Sequence, residues 1–321
     1  MPSPLARVQG PDYTPLQYGL WSVVQDRSAT ADRWRSGVVW QPICGTAVTT
    51  YDECLTVTGT GGPPPPPAAK AATHTLAARG AQPFTVVAQV DCSPVGYVND
   101  PDERTNARNA ARVALTQTEL IQVEAAFWTG VAGGRNVVLP HLAANAAFTN
   151  SDRILMQTAA TTVTGSTVLD IVEAMGYLES RLNACYGGQG TIHVPEILYP
   201  ALVNSYQLVQ VGGVNGPQLR TWKGNLVAIG AGYPGTGPDG TITPNAAWIY
   251  GTGPVFGYRG MEPGPDSELT DQYRISDWLD RSENTMKVQA ERTYLLGFDC
   301  CHFSVNVSLG GIVTGQPLSA F

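Results

Sequence analysis

The chain has 321 residues, 43% hydrophobic and 14% charged, a balance that suits an ordered protein of one to three domains and excludes a disordered one. Its formal charge is −7, and its 16 arginines and three lysines (Lys70, Lys223, Lys287) form no basic block, so a phosphate-gripping face for specific nucleic-acid binding is not expected. No eighteen-residue apolar window and no basic start followed by an apolar run occurs, so neither a membrane span nor a secretory signal is expected.

Glycine at 35 and proline at 24, with abundant Val and Thr, favour strands, turns and extended loops over a helical bundle. Sparse lysine beside retained arginine suits a surface committed to subunit contacts, although a GC-rich genome produces the same bias. The six cysteines are expected to be mostly free thiols, as in other intracellular chains of this length.

Residues 1–36 carry Pro, Gly and Arg without a sustained period and read as an arm lying on something else, with Trp21 and Trp34, and Trp40 just beyond, as anchors. Gly37–Val57 and Ala72–Val90 are strand-like, and between them Thr58–Lys70 holds five consecutive prolines, Pro63–Pro67. Such a run cannot donate to a sheet ladder and adopts polyproline II, which predicts a two-armed projection with a stiff exposed tip; a linker between domains is the alternative.

Asp100-Pro101-Asp102-Glu103 is a helix start, with Asp100 as cap and Pro101 in the first turn. Ala107, Ala110, Ala111, Ala114, Thr118, Ile121, Ala125 and Trp128 recur at helical spacing up to Gly130, predicting roughly 28 residues and about 40 Å of helix. Arg104, Arg108 and Arg112 form a row along it, either a solvated face or contacts to carboxylates of a neighbouring subunit. A second helix is predicted over Thr167–Asn183, with Val168, Ile171, Val172, Met175 and Leu182 on one face. Ile192–Val203 reads as a strand leading into a short helix at Pro195. Gln218–Val227, Trp248–Tyr250 and Val255–Tyr258 read as strands joined by glycine turns. Met286–Gly311 is a long apolar-rich strand pattern that returns to a core laid down earlier, and Tyr294–Phe303 is apolar on both faces.

Gly230-Ala231-Gly232-Tyr233-Pro234-Gly235 matches the dinucleotide fingerprint by letter, but Pro234, Pro238 and Gly240 forbid the helix that would face a pyrophosphate, so a turn between strands is expected. Asp299-Cys300-Cys301-His302 is the one cluster of ligand-type residues. On a strand Cys300 and Cys301 point to opposite faces, which argues against metal and places one of them in the core. His74, His141, His193 and His302 are scattered, and no GxSxG or HExxH context exists. Catalytic, cofactor-binding and metal residues are therefore all assigned as none, with no cofactor.

The order of arm, β projection, long helix, glycine-rich αβ region and returning strand resembles the major capsid protein of tailed bacteriophages, the Hong Kong ninety-seven type of shell subunit. The residues that carry the resemblance are Gln82–Val95 running into the Asp100 helix, Leu219–Gly240, Trp248–Gly260 and Ala290–Val305, which are similar to capsid subunits of actinobacterial phages. The resemblance implies an α+β fold in four parts: an N-terminal arm (1–36), an extended β-hairpin loop (37–83), a peripheral domain with a long spine helix (84–160 and 283–321) and an axial αβ domain (161–282). It implies a non-enzymatic protein that self-assembles into pentamers and hexamers of an icosahedral head around double-stranded DNA, in the virion after assembly in the host cytoplasm. Its partners would be further copies of itself, scaffolding, portal and cement or decoration proteins, and DNA by non-specific contact only, with no membrane. Some members of that family crosslink through a lysine on the projection. Lys70 occupies the corresponding place, but no Asn acceptor or catalytic carboxylate can be matched, and a solvated lysine is the alternative. Cys44 and Cys54, ten apart on the projection, are expected to be reduced unless an oxidising medium pairs them. An encapsulin-like nanocompartment shell and a β-rich hydrolase on an unrelated fold are the rival readings.

Overall fold

Asp100 starts the element on which the rest of the chain is laid. In the computed structural model, which describes residues 17–28, 33–42, 78–165, 167–205, 207–213, 216–260 and 273–310, its side chain accepts from the amides of Asp102 and Glu103. This satisfies orphan donors of the first turn, and Pro101 gives up none. Preceding it in the chain are helix α1 (Leu20–Val23), strands β1 (Gln25–Asp26), β2 (Val38–Trp40), β3 (Arg79–Ala81) and β4 (Phe84–Cys92), and the short helix α2 (Pro94–Asn99). The capped helix, α3 (Pro101–Thr129), runs for 29 residues, about 43 Å, and ends on Gly130 in the left-handed conformation.

Six short strands follow: β5 (Val131–Ala132), β6 (Arg135–Asn136), β7 (Phe148–Thr149), β8 (Leu155–Gln157), β9 (Thr161–Thr162) and β10 (Val168–Leu169). Helix α4 (Ile171–Tyr186) is capped by Asp170, and Gly187 closes it in the left-handed region. It leads to β11 (Thr191–Pro195), a 3-10 turn at Glu196–Leu198 and α5 (Tyr199–Asn204), the strand-to-helix junction expected at Pro195. The remainder is β: β12 (Val209–Gly213), β13 (Gly216–Arg220), β14 (Leu226–Gly230), β15 (Ala246–Thr252), β16 (Val255–Gly260), β17 (Arg274–Asp280), β18 (Thr285–Phe298) and β19 (His302–Ser308).

Two sheets organise these elements into an α+β fold. In the first, β18 is central: β17 pairs with its Thr285–Glu291 half and β16 with its Thr293–Phe298 half, while β4 runs antiparallel along its other edge from Met286 to Tyr294. Helix α3 packs on β4 and β18, burying Ala107, Ala111, Leu115 and Val123 against Phe84, Val86, Val288 and Ala290. The second sheet has the order β10-β19-β15-β11-β14-β13-β12. Every residue of β11 and β15 is buried, because α4 covers one face with Ala174, Met175, Leu178 and Leu182 and the end of α3 covers the other with Phe127 and Trp128. A smaller sheet, β2-β3-β8-β7, lies beside the first.

The structure corrects several expectations. The buried residues of α3 are Ala107, Ala111, Leu115, Glu119, Val123, Glu124 and Ala126 with the Phe127-Trp128 end, while Ala110 and Thr118 are exposed; Leu and Val, not the alanines alone, set the face, and two glutamates lie on it. In the arginine row Arg104 and Arg108 are exposed, as the solvated-face reading has it, and they also reach groups of their own chain. Arg104 donates to the Tyr97 carbonyl, and Arg108 donates to the Tyr97 hydroxyl and pairs with Asp277 at 3.1 Å. The second helix starts at Ile171 because Asp170 caps it, which leaves Val168 and Val172 exposed. Thr221–Asn225 is a turn that divides the expected Gln218–Val227 strand, with the Thr221 amide donating to the Asn225 carbonyl. The returning segment is two strands, broken at Asp299–Cys301, where the chain leaves the first sheet for the second.

The described part of the arm lies on its own subunit. Leu20, Trp21, Val23 and Val24 are buried, β1 adds a parallel strand to β16, Trp34 stacks on Tyr258 and Trp40 meets Phe256 edge-on. Thr58–Lys70 with Pro63–Pro67, and Cys44, Cys54, Lys70 and His74, lie outside the described residues.

Candidate functional site

The polar chemistry of the molecule is concentrated at the joint between α3 and the two sheets. Glu119 sits on the buried line from Leu115 to Val123, four residues from each, and faces the first sheet. Its Oε1 accepts from Arg292 at 2.9 Å and its Oε2 from the Tyr294 hydroxyl at 2.8 Å, with both charged side chains almost wholly buried. Burial raises the Glu119 carboxyl above its ordinary range, opposed by Arg292 and Tyr294. Arg292 lies 3.7 Å over the Tyr273 ring, so its guanidinium is held on two sides.

Five residues later Glu124 joins three separate segments. Its Oε1 accepts from the Leu20 amide at 2.8 Å, at the start of α1, and its Oε2 accepts from the Gly232 amide at 2.9 Å. Burial pushes its carboxyl up to about 7, against the lowering effect of those backbone donors. The Gly230–Gly235 tract is thus the turn that docks on α3. A Cβ at Gly232 would overlap the Ile121 carbonyl, so the helix can approach only a glycine there. The fingerprint letters serve helix packing, and the turn has no helix at its end to receive a phosphate.

Three histidines scattered in sequence converge around the second sheet. His193 on β11 contacts the Tyr233 hydroxyl at 3.1 Å through Nδ1 and the Thr252 hydroxyl at 3.0 Å through Nε2. His302, opposite Thr252 at the start of β19, has Nδ1 3.0 Å from the Thr158 carbonyl and Nε2 2.8 Å from the Leu142 carbonyl. His141 holds the Val138 carbonyl at 3.0 Å. Burial lowers all three, His193 to about 3 and His302 to about 4, and a neutral His302 donates to only one of its two facing carbonyls. With His193, Thr252 and His302 each less than 5% exposed, these groups bond segments together behind a sealed surface. Trp128 and Tyr250 complete the joint by donating to Thr236 at 3.0–3.2 Å.

Cys301 pairs with Cys185 of α4 in a disulfide, with Cα atoms 6.0 Å apart, which corrects the expectation of mostly free thiols. A separation of 116 residues hid the partner: only the packing of the last turn of α4 against the β18–β19 crossing brings the two together. Cys92 is a free thiol. Among the described residues no three or more His, Cys, Asp or Glu side chains are grouped to hold a metal, and no helix is long and apolar enough to cross a membrane.

No protein-family model matches the chain, and no curated protein does. Among solved structures it is similar to the capsid of Ralstonia phage GP4, with 11% identity, a TM-score of 0.47 and 98% of each chain covered. It is also similar to Mycobacterium phage Bobi, with 10% identity, a TM-score of 0.45 and 94% of this chain and 95% of that one covered. The encapsulin of Synechococcus elongatus follows with 10% identity, a TM-score of 0.42 and 74% and 79% covered.

Proposed function

We propose that the chain is the shell-forming subunit of a tailed-phage head, assembling into pentamers and hexamers around double-stranded DNA. The observation that carries this reading is the way β4 (Phe84–Cys92) and β18 (Thr285–Phe298), strands distant in sequence, form one sheet along the length of α3. Between them in sequence lies a second sheet, which β19 re-enters from β18. A spine helix on a peripheral sheet, with an axial αβ unit inserted, is the layout that the resemblance implies. The buried carboxylates and histidines fit it as well, since their hydrogen bonds fasten segments to one another.

On this reading residues 1–36 are the arm, 37–83 the extended loop, 84–160 and 283–321 the peripheral domain and 161–282 the axial domain. By pairing, β16 and β17 join the peripheral sheet although they fall within 161–282. Further copies of the chain are the principal partner, with scaffolding, portal and cement proteins and non-specific contact to packaged DNA beside them. Electron microscopy of the purified protein tests the reading: closed shells or rings of five and six subunits are expected, and a species of monomer mass at every salt and protein concentration would overturn it.

A further inference from the structure

Cys185 and Cys301 differ in exposure in a way that assigns them different roles. Cys185 stands in the last turn of α4 and is partly exposed, whereas Cys301 is 1% exposed at the crossing from β18 to β19, its carbonyl accepting from the Gly253 amide at 3.1 Å. A small reagent therefore has readier access to Cys185 than to Cys301. The bond encloses everything from the end of α4 to the crossing, including β11–β18, and fixes the helix that covers the second sheet to the joint between the two sheets.

We propose that Cys185 is a modification site for small-molecule disulfides, through which the subunit is stapled after it has folded. The Cys185 thiolate attacks one sulfur of oxidised glutathione, forming a protein–glutathione mixed disulfide and expelling one glutathione thiolate. The Cys301 thiolate then attacks the Cys185 sulfur and expels the second glutathione. Two protein thiols lose two electrons and two protons, and the small disulfide gains both and leaves as two thiols, so the exchange balances. The native packing of α4 on β15 and β19 presents the two cysteines to each other, so folding precedes the bond. Its timing rests on the shell reading: a subunit assembled in a reducing host cytoplasm carries both as thiols, and released particles meet an oxidising medium that closes the staple.

The test compares protein kept in reduced glutathione with protein exposed to oxidised glutathione, alkylated and digested without reductant. The oxidised sample should yield a peptide pair linked through Cys185 and Cys301, and the reduced sample should alkylate at Cys185 before Cys301. Because the bond closes a 116-residue loop, the unfolding midpoint should be about 10 °C higher in the oxidised sample. Cys185→Ser should reduce that difference, what is left belonging to the separate disulfide of Cys300, and Cys92→Ser should keep it. Absence of the linked peptide after oxidation, alkylation of Cys301 first, or an equal midpoint shift in Cys185→Ser would overturn the proposal. Particles that form but show no redox shift defeat the staple alone. A redox shift in a protein that never forms particles defeats the shell reading and leaves the staple standing.

Discussion

Gly232 and Glu124 show how tightly single residues set the joint. Adding one methyl at Gly232 pushes it into the Ile121 carbonyl, a backbone atom that cannot rotate away, and displaces the amide bonded to Glu124. Gly232→Ala is expected to lower unfolding free energy by about 1–3 kcal/mol, read by chemical denaturation, as overpacking usually does. The buried titratable groups give stability an opposed pH dependence. His193 and His302 have folded values of about 3 and 4 against about 6.5 unfolded, so their stabilising contribution is lost as pH falls below 6.5. Glu124 has a folded value of about 7 against about 4.5 unfolded, so its contribution is lost as pH rises towards 7. Between about pH 4.5 and 6.5 the unfolded chain holds two protons more on the histidines and one fewer on the glutamate, a net slope of about 1.4 kcal/mol per pH unit favouring higher pH. Glu124→Gln should double that slope whatever it does to absolute stability, and an unchanged slope would remove Glu124 from the joint's titration. None of this pairing was legible in the sequence. The histidines lie in segments whose closeness exists only after the sheet has formed, and a glutamate among Leu120, Val123 and Phe127 reads as solvent-facing until its donors are known.

Elements with a local cause were legible, and those fixed by distant packing were not. The cap at Asp100 and the glycine at 130 mark α3 to within a residue, and Pro195 marks the junction from β11 to α5, because each acts through its own backbone. The break at Asp299–Cys301 has no such mark: alternation continues through it, and only the need to pair with β15 turns the chain into the second sheet. The double-sided burial of the returning strand was legible from its apolar pairs, and Tyr294–Phe298 is buried at every position. Leu296 is 1% exposed in the cluster that includes Trp21, Phe84 and Tyr294. Leu296→Asp places an unpaired carboxylate there, at a cost of several kcal/mol against a usual stability of about 5–15 kcal/mol. Circular dichroism should find that variant unfolded or molten at room temperature; a cooperative transition within about 1 kcal/mol of the parent would contradict the packing of β18 between its neighbours.

For the whole molecule, the proposed reading gives the joining of neighbouring subunits to the projection, whose tip is Thr58–Lys70. Among the described residues the two main clusters are built from residues 20–24, 84–142 and 169–307, and the small third one adds Trp34 and Ala81. From its sequence Pro63–Pro67 is expected to be a stiff polyproline II run, and restricted conformations of that kind lower the entropy lost on docking to another subunit. On that reading, replacing residues 58–70 by a short glycine-serine turn should leave the unfolding midpoint of the subunit within about 2 °C of the parent, since the tip serves the neighbour and not its own core. Particles assembled from it should be less resistant to denaturant, or should stop at rings, as judged by light scattering and electron microscopy. If the shortened protein unfolds early as an isolated subunit, the segment belongs to the subunit's own core. If its particles match the parent in both size and denaturant resistance, the projection is not what joins neighbouring subunits.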